Sequence, residues 1–159
     1  MTRRSLPAQR RLHLIDVENL AGTPTPSRDR ILRCRQRYLE LIRPQAGDHC
    51  VIACSHHAGP VVSLAWSDAR HIWRSGQDGA DLALIDVLTG ESVADRFAAV
   101  ILASGDWLFA APVAQLGTHG IPVTVVANRG SLSRQLALAA GRVLLFDAGA
   151  APLAAGSAR

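Results

Sequence analysis

Two acidic residues each follow an apolar segment, and their positions suggest a shared site. Asp16 ends the segment Leu12–Ile15, and Asp106 follows Ala99–Ala103 across a Ser-Gly turn. An ionised carboxylate at the end of a buried strand costs several kcal/mol unless something pairs with it, and a cation is the simplest partner. Asp81 can join them from the start of a helix. The sequence therefore predicts that three carboxylates converge in one crevice.

A divalent cation would hold these carboxylates together. Like charges raise one another's pKa, so three converging carboxylates cannot all stay ionised without help. Their ligand atoms are all oxygen, with no His or Cys at matching positions, which favours Mg²⁺ or Mn²⁺ over Zn²⁺. Asn19, three residues past Asp16, can add a neutral oxygen or hold a metal-bound water. Such a site hydrolyses phosphodiesters by activating that water and neutralising the charge that develops on phosphorus.

Three neighbouring acids have simpler interpretations. Asp78 is better placed to cap a helix than to bind a metal. Asp86 lies five residues after Asp81, roughly 140° around a helix, so the two do not share a face. Glu18 is either a ligand or a solvated loop acid, and we favour the solvated loop.

The basic residues are unevenly distributed. All 17 are arginine; residues 1–43 hold ten of them against four acidic residues, whereas residues 44–159 hold seven against nine. A basic flank beside an acidic site suits an enzyme that acts on a polyanion. A solvated surface explains the same asymmetry, so both interpretations stay open.

Short apolar segments predict strands, and helical patterns fill the gaps between them. This alternation indicates parallel strands joined by crossover helices. We therefore predict an α/β fold, a three-layer sandwich with a mostly parallel central sheet of five to six strands. If the first and fourth strands are neighbours, Asp16 and Asp106 face each other where ligands bind in such sheets. The predicted strands are Leu12–Asp16, Cys50–Cys54, His71–Trp73, Val100–Ala103, Val123–Ala127 and Val143–Phe146.

Helices are predicted from caps and apolar spacing. Ser27 can cap a helix that continues to Arg43. Ser131 is the predicted cap of the last helix, which runs to Gly141. The inner stripe of the Ser27–Arg43 helix is Ile31, Cys34, Tyr38 and Ile42, and further helices are predicted at Val61–Trp66, from Asp78 or Gly79 to Leu88, and at Trp107–Thr118. The predicted domain is residues 11–147, between a disordered basic arm (1–10) and a disordered tail (148–159).

Several protein classes lack support in the sequence. No segment reaches the roughly 18–20 uncharged apolar residues that span a bilayer, and the first residues lack the apolar core of a secretory signal. Three cysteines without Cys-x-x-Cys spacing indicate free thiols in a reducing cytosol. We therefore expect a soluble, cytoplasmic protein that does not bind membranes. Phosphate-binding loops of the Gly-x-x-x-x-Gly-Lys and Gly-x-Gly-x-x-Gly types are absent.

Three motifs resemble, in order and spacing, those of the NYN domain, a branch of the PIN-like nucleases. The resemblance covers about residues 11–147. It implies a metal-dependent ribonuclease on a PIN-like, Rossmann-like fold, with Mg²⁺ or Mn²⁺ as cofactor and RNA as partner. The active-site positions of the family correspond to Asp16, Asn19, Asp81 and Asp106. The motifs are Leu14–Leu20 (LIDVENL), Asp78–Leu84 (DGADLAL) and Leu102–Phe109 (LASGDWLF), followed by Gly120–Val123 (GIPV), and Arg129–Ser133 with Leu136 resembles the segment that opens the family's last helix.

The chain departs from the family at one position. The family commonly reads Ser-Gly-Asp-x-Asp-Phe, and Leu108 stands where the second Asp would be. Losing a carboxylate weakens any second metal site, so the activity is expected to be slow, dependent on Mn²⁺, or absent. Asp86 or Asp78 can substitute, but nothing in the sequence demands it. The alternative is a weakened NYN-like domain that binds RNA or a protein partner without cleavage, and the oligomeric state stays open, a homodimer included.

RNA contacts are predicted from charge and aromaticity. Arg74 and Arg129 follow predicted strands toward the crevice and can clamp phosphates. Arg33 and Arg37, on the arginine-rich Ser27–Arg43 helix, can extend this row of phosphate contacts. Trp107, beside Asp106, can stack an unpaired base, although packing at the start of a helix is the simpler use.

Overall fold

The computed structural model describes residues 9–149, which form one parallel sheet with helices on both faces. The strand order is β3-β2-β1-β4-β5-β6, and every neighbouring pair is parallel. The predicted α/β three-layer sandwich is confirmed. The strands are β1 (Arg11–Asp16), β2 (His49–Cys54), β3 (Arg70–Trp73), β4 (Ala99–Ala103), β5 (Val123–Ala127) and β6 (Arg142–Leu145).

Apolar residues cover both faces of the central strands, as expected for a sheet buried between helices. Leu12 and Leu14 of β1 pack on one side, and Ile15 packs on the other. The first side is covered by α4 (Gly79–Gly90), α5 (Val93–Arg96), α6 (Ala110–Thr118) and α7 (Arg134–Ala139), and the second by α1 (Val17–Ala21), α2 (Arg28–Ile42) and α3 (Gly59–Ala65). The predicted inner stripe of α2 is buried throughout.

The strand order reverses between β1 and β4. The chain proceeds from β1 to β2 and β3 on one side, and from β4 to β5 and β6 on the other. Ile15 of β1 pairs with Ala103 of β4, so the two strands end level with each other. Ligands bind in the crevice that such a reversal opens beyond the carboxyl ends of the strands.

Several helices differ from the sequence prediction: α3 begins at Gly59 rather than at Val61, and α5 was not predicted. Helix α1, directly after Asp16, was not predicted, because five residues are too few to show a helical period. The last helix begins at Arg134 rather than at Ser131, and Ser133 is its cap, since the Ser133 hydroxyl accepts the Leu136 N–H at 3.1 Å. The Ser131 amide instead closes a turn onto the carbonyl of Asn128.

The folded domain extends slightly beyond the predicted residues 11–147 at both ends. Arg10, assigned to the arm, donates from Nε to the Arg96 carbonyl at 3.1 Å, and its guanidinium lies over the Phe97 ring. Ala148, assigned to the tail, is buried in the core. Residues 1–8 of the predicted arm and 150–159 of the predicted tail lie outside the described residues. Within residues 9–149, no helix is both long and apolar enough to cross a bilayer.

Candidate metal centre

Asp16 is positioned by the junction of β1 and α1. Its Oδ1 accepts the backbone N–H of Asn19 at 3.1 Å, so the carboxylate caps the helix that begins immediately after the strand. A carboxylate in this position also faces the partial positive charge of the helix N-terminus. Asp16 is 5% exposed and lines the crevice.

Asp106 occupies the equivalent position after β4. Its Oδ1 accepts the N–H of Leu108 at 2.8 Å and so caps the 3₁₀ turn Trp107–Phe109 that leads into α6. Asp16 and Asp106 therefore stand at the ends of neighbouring strands, as the sequence predicted. Each uses one carboxylate oxygen, Oδ1, in a cap.

Asp81 lies between these two acids, in the first turn of α4. It is 8% exposed, and its Oδ1 is buried without a hydrogen-bond partner among residues 9–149. Burial, the negative charge of Asp16 and the hydrogen bond shared with Asp16 raise the pKa of Asp81 to about 8, and the charges of Asp106 and Asp78 contribute. Burial likewise raises the pKa of Asp16, against the lowering effect of that shared hydrogen bond. The site therefore disfavours full ionisation, as expected for carboxylates crowded together.

Asp78 belongs to the same cluster. One carboxylate oxygen from each of Asp78, Asp81 and Asp106 lies within 4.8 Å of the others. Asp78 occupies the N-cap position of α4, as the sequence indicated, but its side chain makes no capping bond and its backbone is left-handed, with φ of 57°. Asp78 and Asp81 are three residues apart, which places both at one end of a helix, and that spacing was the available signal.

The donor set fits a hard divalent cation. The oxygens of Asp78, Asp81 and Asp106 converge, and Asp16 and Asp81 both line a crevice of about 360 Å³, where the charge of Asp16 raises the pKa of Asp81. Oxygen-only ligands suit Mg²⁺ and Mn²⁺. The buried, unpartnered Oδ1 of Asp81 is an acceptor that a cation would satisfy, and a cation would relieve the repulsion that raises its pKa.

Asn19 joins the turns around the site. Its Oδ1 accepts the N–H of Gly105 at 3.1 Å and the hydroxyl of Ser131 at 3.4 Å, so this oxygen is already engaged and the Nδ2 amide is the group left to face a ligand. Asn128 donates from Nδ2 to the carbonyls of Asn19 and Leu20, both at 3.0 Å. Asn128 was not singled out from the sequence, because a polar residue after a strand has no distinctive pattern.

Glu18 was interpreted as a solvated loop acid, and this was wrong. Its Oε1 accepts the backbone N–H of Ser55 at 2.9 Å and the Ser55 hydroxyl at 2.6 Å. These bonds tie the turn after β1 to the turn after β2. Glu18 also lines the crevice, where its charge raises the pKa of Asp16.

Among the predicted RNA contacts, Arg74, Arg129 and Trp107 lie at the carboxyl edge of the sheet. Arg74 lines the crevice and pairs with Asp86, Nη1 to Oδ2 at 2.9 Å, across a largely exposed contact. Arg129 is exposed directly after the turn at Asn128. Trp107 is 59% exposed beside Asp106, so packing is not its main use.

Arg33 and Arg37 are not brought to the crevice. They lie about 8 Å and 14 Å along α2 from Arg28, because the helix rises 1.5 Å per residue away from the carboxyl edge. Arg37 pairs within the helix with Glu40 at 3.7 Å. The sequence placed them on the arginine-rich helix but could not show how far that helix carries them from the acids.

Comparison with known proteins supports the fold. No family model matches the chain, and neither does any curated protein. The crystal structure of a protein of unknown function from Vibrio parahaemolyticus is similar, with a TM-score of 0.63 and 19% sequence identity over 91% of this chain and 96% of that one. At this identity the similarity extends to the architecture alone.

Proposed function

We propose that the chain is a Mg²⁺- or Mn²⁺-dependent ribonuclease of the NYN type that hydrolyses RNA phosphodiester bonds at the acidic crevice. The observation that carries the proposal is the buried Oδ1 of Asp81, which has no hydrogen-bond partner among residues 9–149, in a side chain whose pKa is raised by the charges of Asp16, Asp106 and Asp78. Structural acids in a core are paired with arginine or backbone donors. A buried acid that lacks such a donor at one oxygen among residues 9–149, and that is crowded by other acids, is the arrangement expected of a cation site.

Asp78, Asp81 and Asp106 would hold the metal, with Asp16 beside it in the same crevice. The bound metal would neutralise charge on the phosphate and lower the pKa of the attacking water. Asp16, whose pKa is raised by burial, is suited to accept the proton of that water as it attacks phosphorus and one P–O bond of the backbone breaks. Arg74, which lines the crevice, and Arg129, at the same edge of the sheet, would hold flanking phosphates.

The test is cleavage of end-labelled single-stranded and structured RNA in Mn²⁺ by the full chain and its variants. We expect Asp16→Asn and Asp106→Asn each to reduce the cleavage rate by more than about 100-fold, because several kcal/mol of charge stabilisation are lost. Asp95→Asn, at an exposed acid on α5, is the matched control and should cleave normally. Cleavage that survives both changes would rule out this site.

A second candidate function is RNA binding without cleavage, and Leu108 favours it. Residue 108 is leucine, so the turn after Asp106 carries no second carboxylate. Leu108 contributes only its backbone N–H, which Asp106 accepts. This alternative predicts RNA affinity that falls steeply with salt while the RNA stays intact in Mn²⁺. Affinity with little salt dependence would count against it.

A further inference from the structure

Two exposed indoles stand at the carboxyl edge of the sheet. Of the three tryptophans, Trp66 is buried, whereas Trp73 is 41% exposed and Trp107 is 59% exposed. Trp73 ends β3 and Trp107 follows β4, so they flank the strand that carries Asp16. Two strand spacings, about 10 Å, separate β3 from β1. Both indoles therefore stand at the edge of the sheet that carries the candidate metal centre, and the Trp73 indole lies on the α3 side of the sheet.

Trp73 is held in one orientation despite its exposure. Its indole lies against Gly59 at the start of α3, where an added Cβ would come within 2.5 Å of Cδ2 and Cε2. The His56 ring stands edge-on to the indole, with centroids 6.3 Å apart and planes at 81°. An aromatic ring already fixed before binding loses little conformational entropy when a ligand stacks on it.

His56 adds a polar group beside this ring. Its backbone N–H donates to the Ser75 hydroxyl at 3.1 Å, and its Nδ1 lies 2.9 Å from the same oxygen. When the Ser75 hydroxyl donates to Nδ1, Nε2 carries the proton and is the ring's remaining donor. The surface thus combines an aromatic face with a hydrogen-bond donor.

We propose that Trp73, with His56 beside it, is a stacking subsite for an unpaired nucleobase of an RNA strand whose phosphate lies at the acidic crevice. The inference rests on the proposed function. Arg74 links the two places, since it directly follows Trp73 and also lines the crevice. Its ion pair with Asp86 is exposed on both sides and therefore weak, so a phosphate can replace Asp86 as the partner.

The test is binding of a labelled single-stranded 12-nucleotide RNA, measured by anisotropy without divalent metal so that no cleavage occurs. A second 12-mer carries abasic sites throughout and keeps only the phosphates. We expect Trp73→Ala to weaken binding of the intact RNA by about 5-fold to 100-fold, because stacking on one aromatic ring contributes on this scale. Binding of the abasic strand should not change.

Matched variants separate stacking from other effects. Leu64 is a 79% exposed apolar residue of α3, the helix whose Gly59 contacts Trp73. Leu64→Ala should therefore bind RNA like wild type. Trp73→Phe should restore most of the affinity. Gly59→Ala should reproduce part of the loss by displacing the indole, and thermal melts check that each variant is folded. Four outcomes would overturn the proposal. Trp73→Ala could leave the RNA affinity unchanged, or weaken binding of the intact and abasic strands equally. Wild type could fail to bind RNA, or Trp73→Ala could dissociate a dimer.

The outcomes also separate this inference from the proposed function. If Trp73→Ala weakens binding of the intact RNA alone, and wild type never cleaves RNA, the subsite is supported and the proposal of hydrolysis is rejected. Cleavage that depends on Asp16, with unchanged binding by Trp73→Ala, supports the nuclease and removes the subsite.

Discussion

At the scale of single residues, the acids of the crevice combine a structural and a chemical use. Asp16 and Asp106 each give one oxygen to a backbone N–H, which fixes the direction of the carboxyl group. Asp81 has no such bond at Oδ1 and is surrounded by like charge. The metal-free protein should therefore be strained at Asp81 in particular.

Replacing Asp81 with Asn should stabilise the metal-free protein. The raised pKa of Asp81 means that its ionised form is disfavoured in the fold, and the amide removes that charge while keeping the shape. At pH 8, in chelator, we expect the melting temperature to rise by about 3–6 °C. Mn²⁺ should raise the melting temperature of wild type but not of Asp81→Asn.

The control for this experiment is Asp86→Asn. Asp86 is an exposed acid on the same helix, paired only at the surface with Arg74. It should leave both the melting temperature and its response to Mn²⁺ unchanged. An Asp81→Asn protein that melts below wild type in chelator would contradict the strain argument.

At the scale of elements, the turns after β1, β4 and β5 are locked to one another. Gly105 donates to Asn19 Oδ1 at 3.1 Å and accepts from the Ser133 N–H at 2.8 Å, which joins the turn after β4 to the start of α7. The backbone of Ser131 passes so close to Gly105 that a Cβ there would collide with the Ser131 carbonyl. The site geometry therefore depends on glycine at this position.

Gly105→Ala and Gly117→Ala should have opposite effects on the free energy of unfolding. Gly105→Ala forces backbone apart and should destabilise the fold by about 1–3 kcal/mol. Gly117 lies exposed in α6 with no atom within 4 Å of the added Cβ, so alanine there should stabilise by about 0.5–1 kcal/mol. Urea unfolding measures both free energies. If the two substitutions changed the free energy of unfolding equally, the turn would have relaxed around the Gly105→Ala methyl group, against this prediction.

At the scale of the whole molecule, the two ends of the sheet have different roles. Crowded acids occupy the carboxyl edge, whereas a saturated polar network occupies the amino edge, about 16 Å away along β1. Asp48 accepts from Arg11 Nη2 at 2.7 Å and from His13 Nε2 at 3.0 Å, and the Tyr38 hydroxyl donates to His13 Nδ1 at 2.7 Å. Every charge there has a partner, which is the pattern of a structural site.

This network should make the fold sensitive to acid. Burial alone would raise the pKa of Asp48, but bonds from Arg11, the Gln45 amide and His13 hold it well below its usual range. Burial lowers the pKa of His13, so it folds as the neutral ring. Both groups stabilise the fold above their unfolded pKa values. The His13 contribution declines as pH falls below about 6.5, and the Asp48 contribution declines below about 4.

Asp48→Asn should therefore cost about 2–3 kcal/mol of unfolding free energy at pH 7, because it leaves Arg11 and His13 without their carboxylate. The difference from wild type should shrink as the pH is lowered to 3.5. Asp68→Asn, which breaks an exposed pair with Arg35, is the control and should cost less than about 1 kcal/mol. A difference between wild type and Asp48→Asn that does not depend on pH would contradict this account.

The sequence by itself determined the six strands, the longer helices and the class of fold. Buried parallel strands need apolar residues on both faces, and helices need apolar residues every three to four positions, so both can be recognised locally. The same logic located Asp16 and Asp106, because an acid that ends an apolar strand is unusual at any position. The order of the motifs then supported the nuclease hypothesis, which remains a proposal.

Only the tertiary structure decided which polar groups are already engaged and which remain available. Asn19 looked like a ligand, yet its oxygen is taken by Gly105, which is far away in the sequence. Asp78 looked like a cap, yet it lies among the acids. Hydrogen bonding and crowding depend on distances between segments, and those distances arise only when β1 and β4 pair and α4 packs over them.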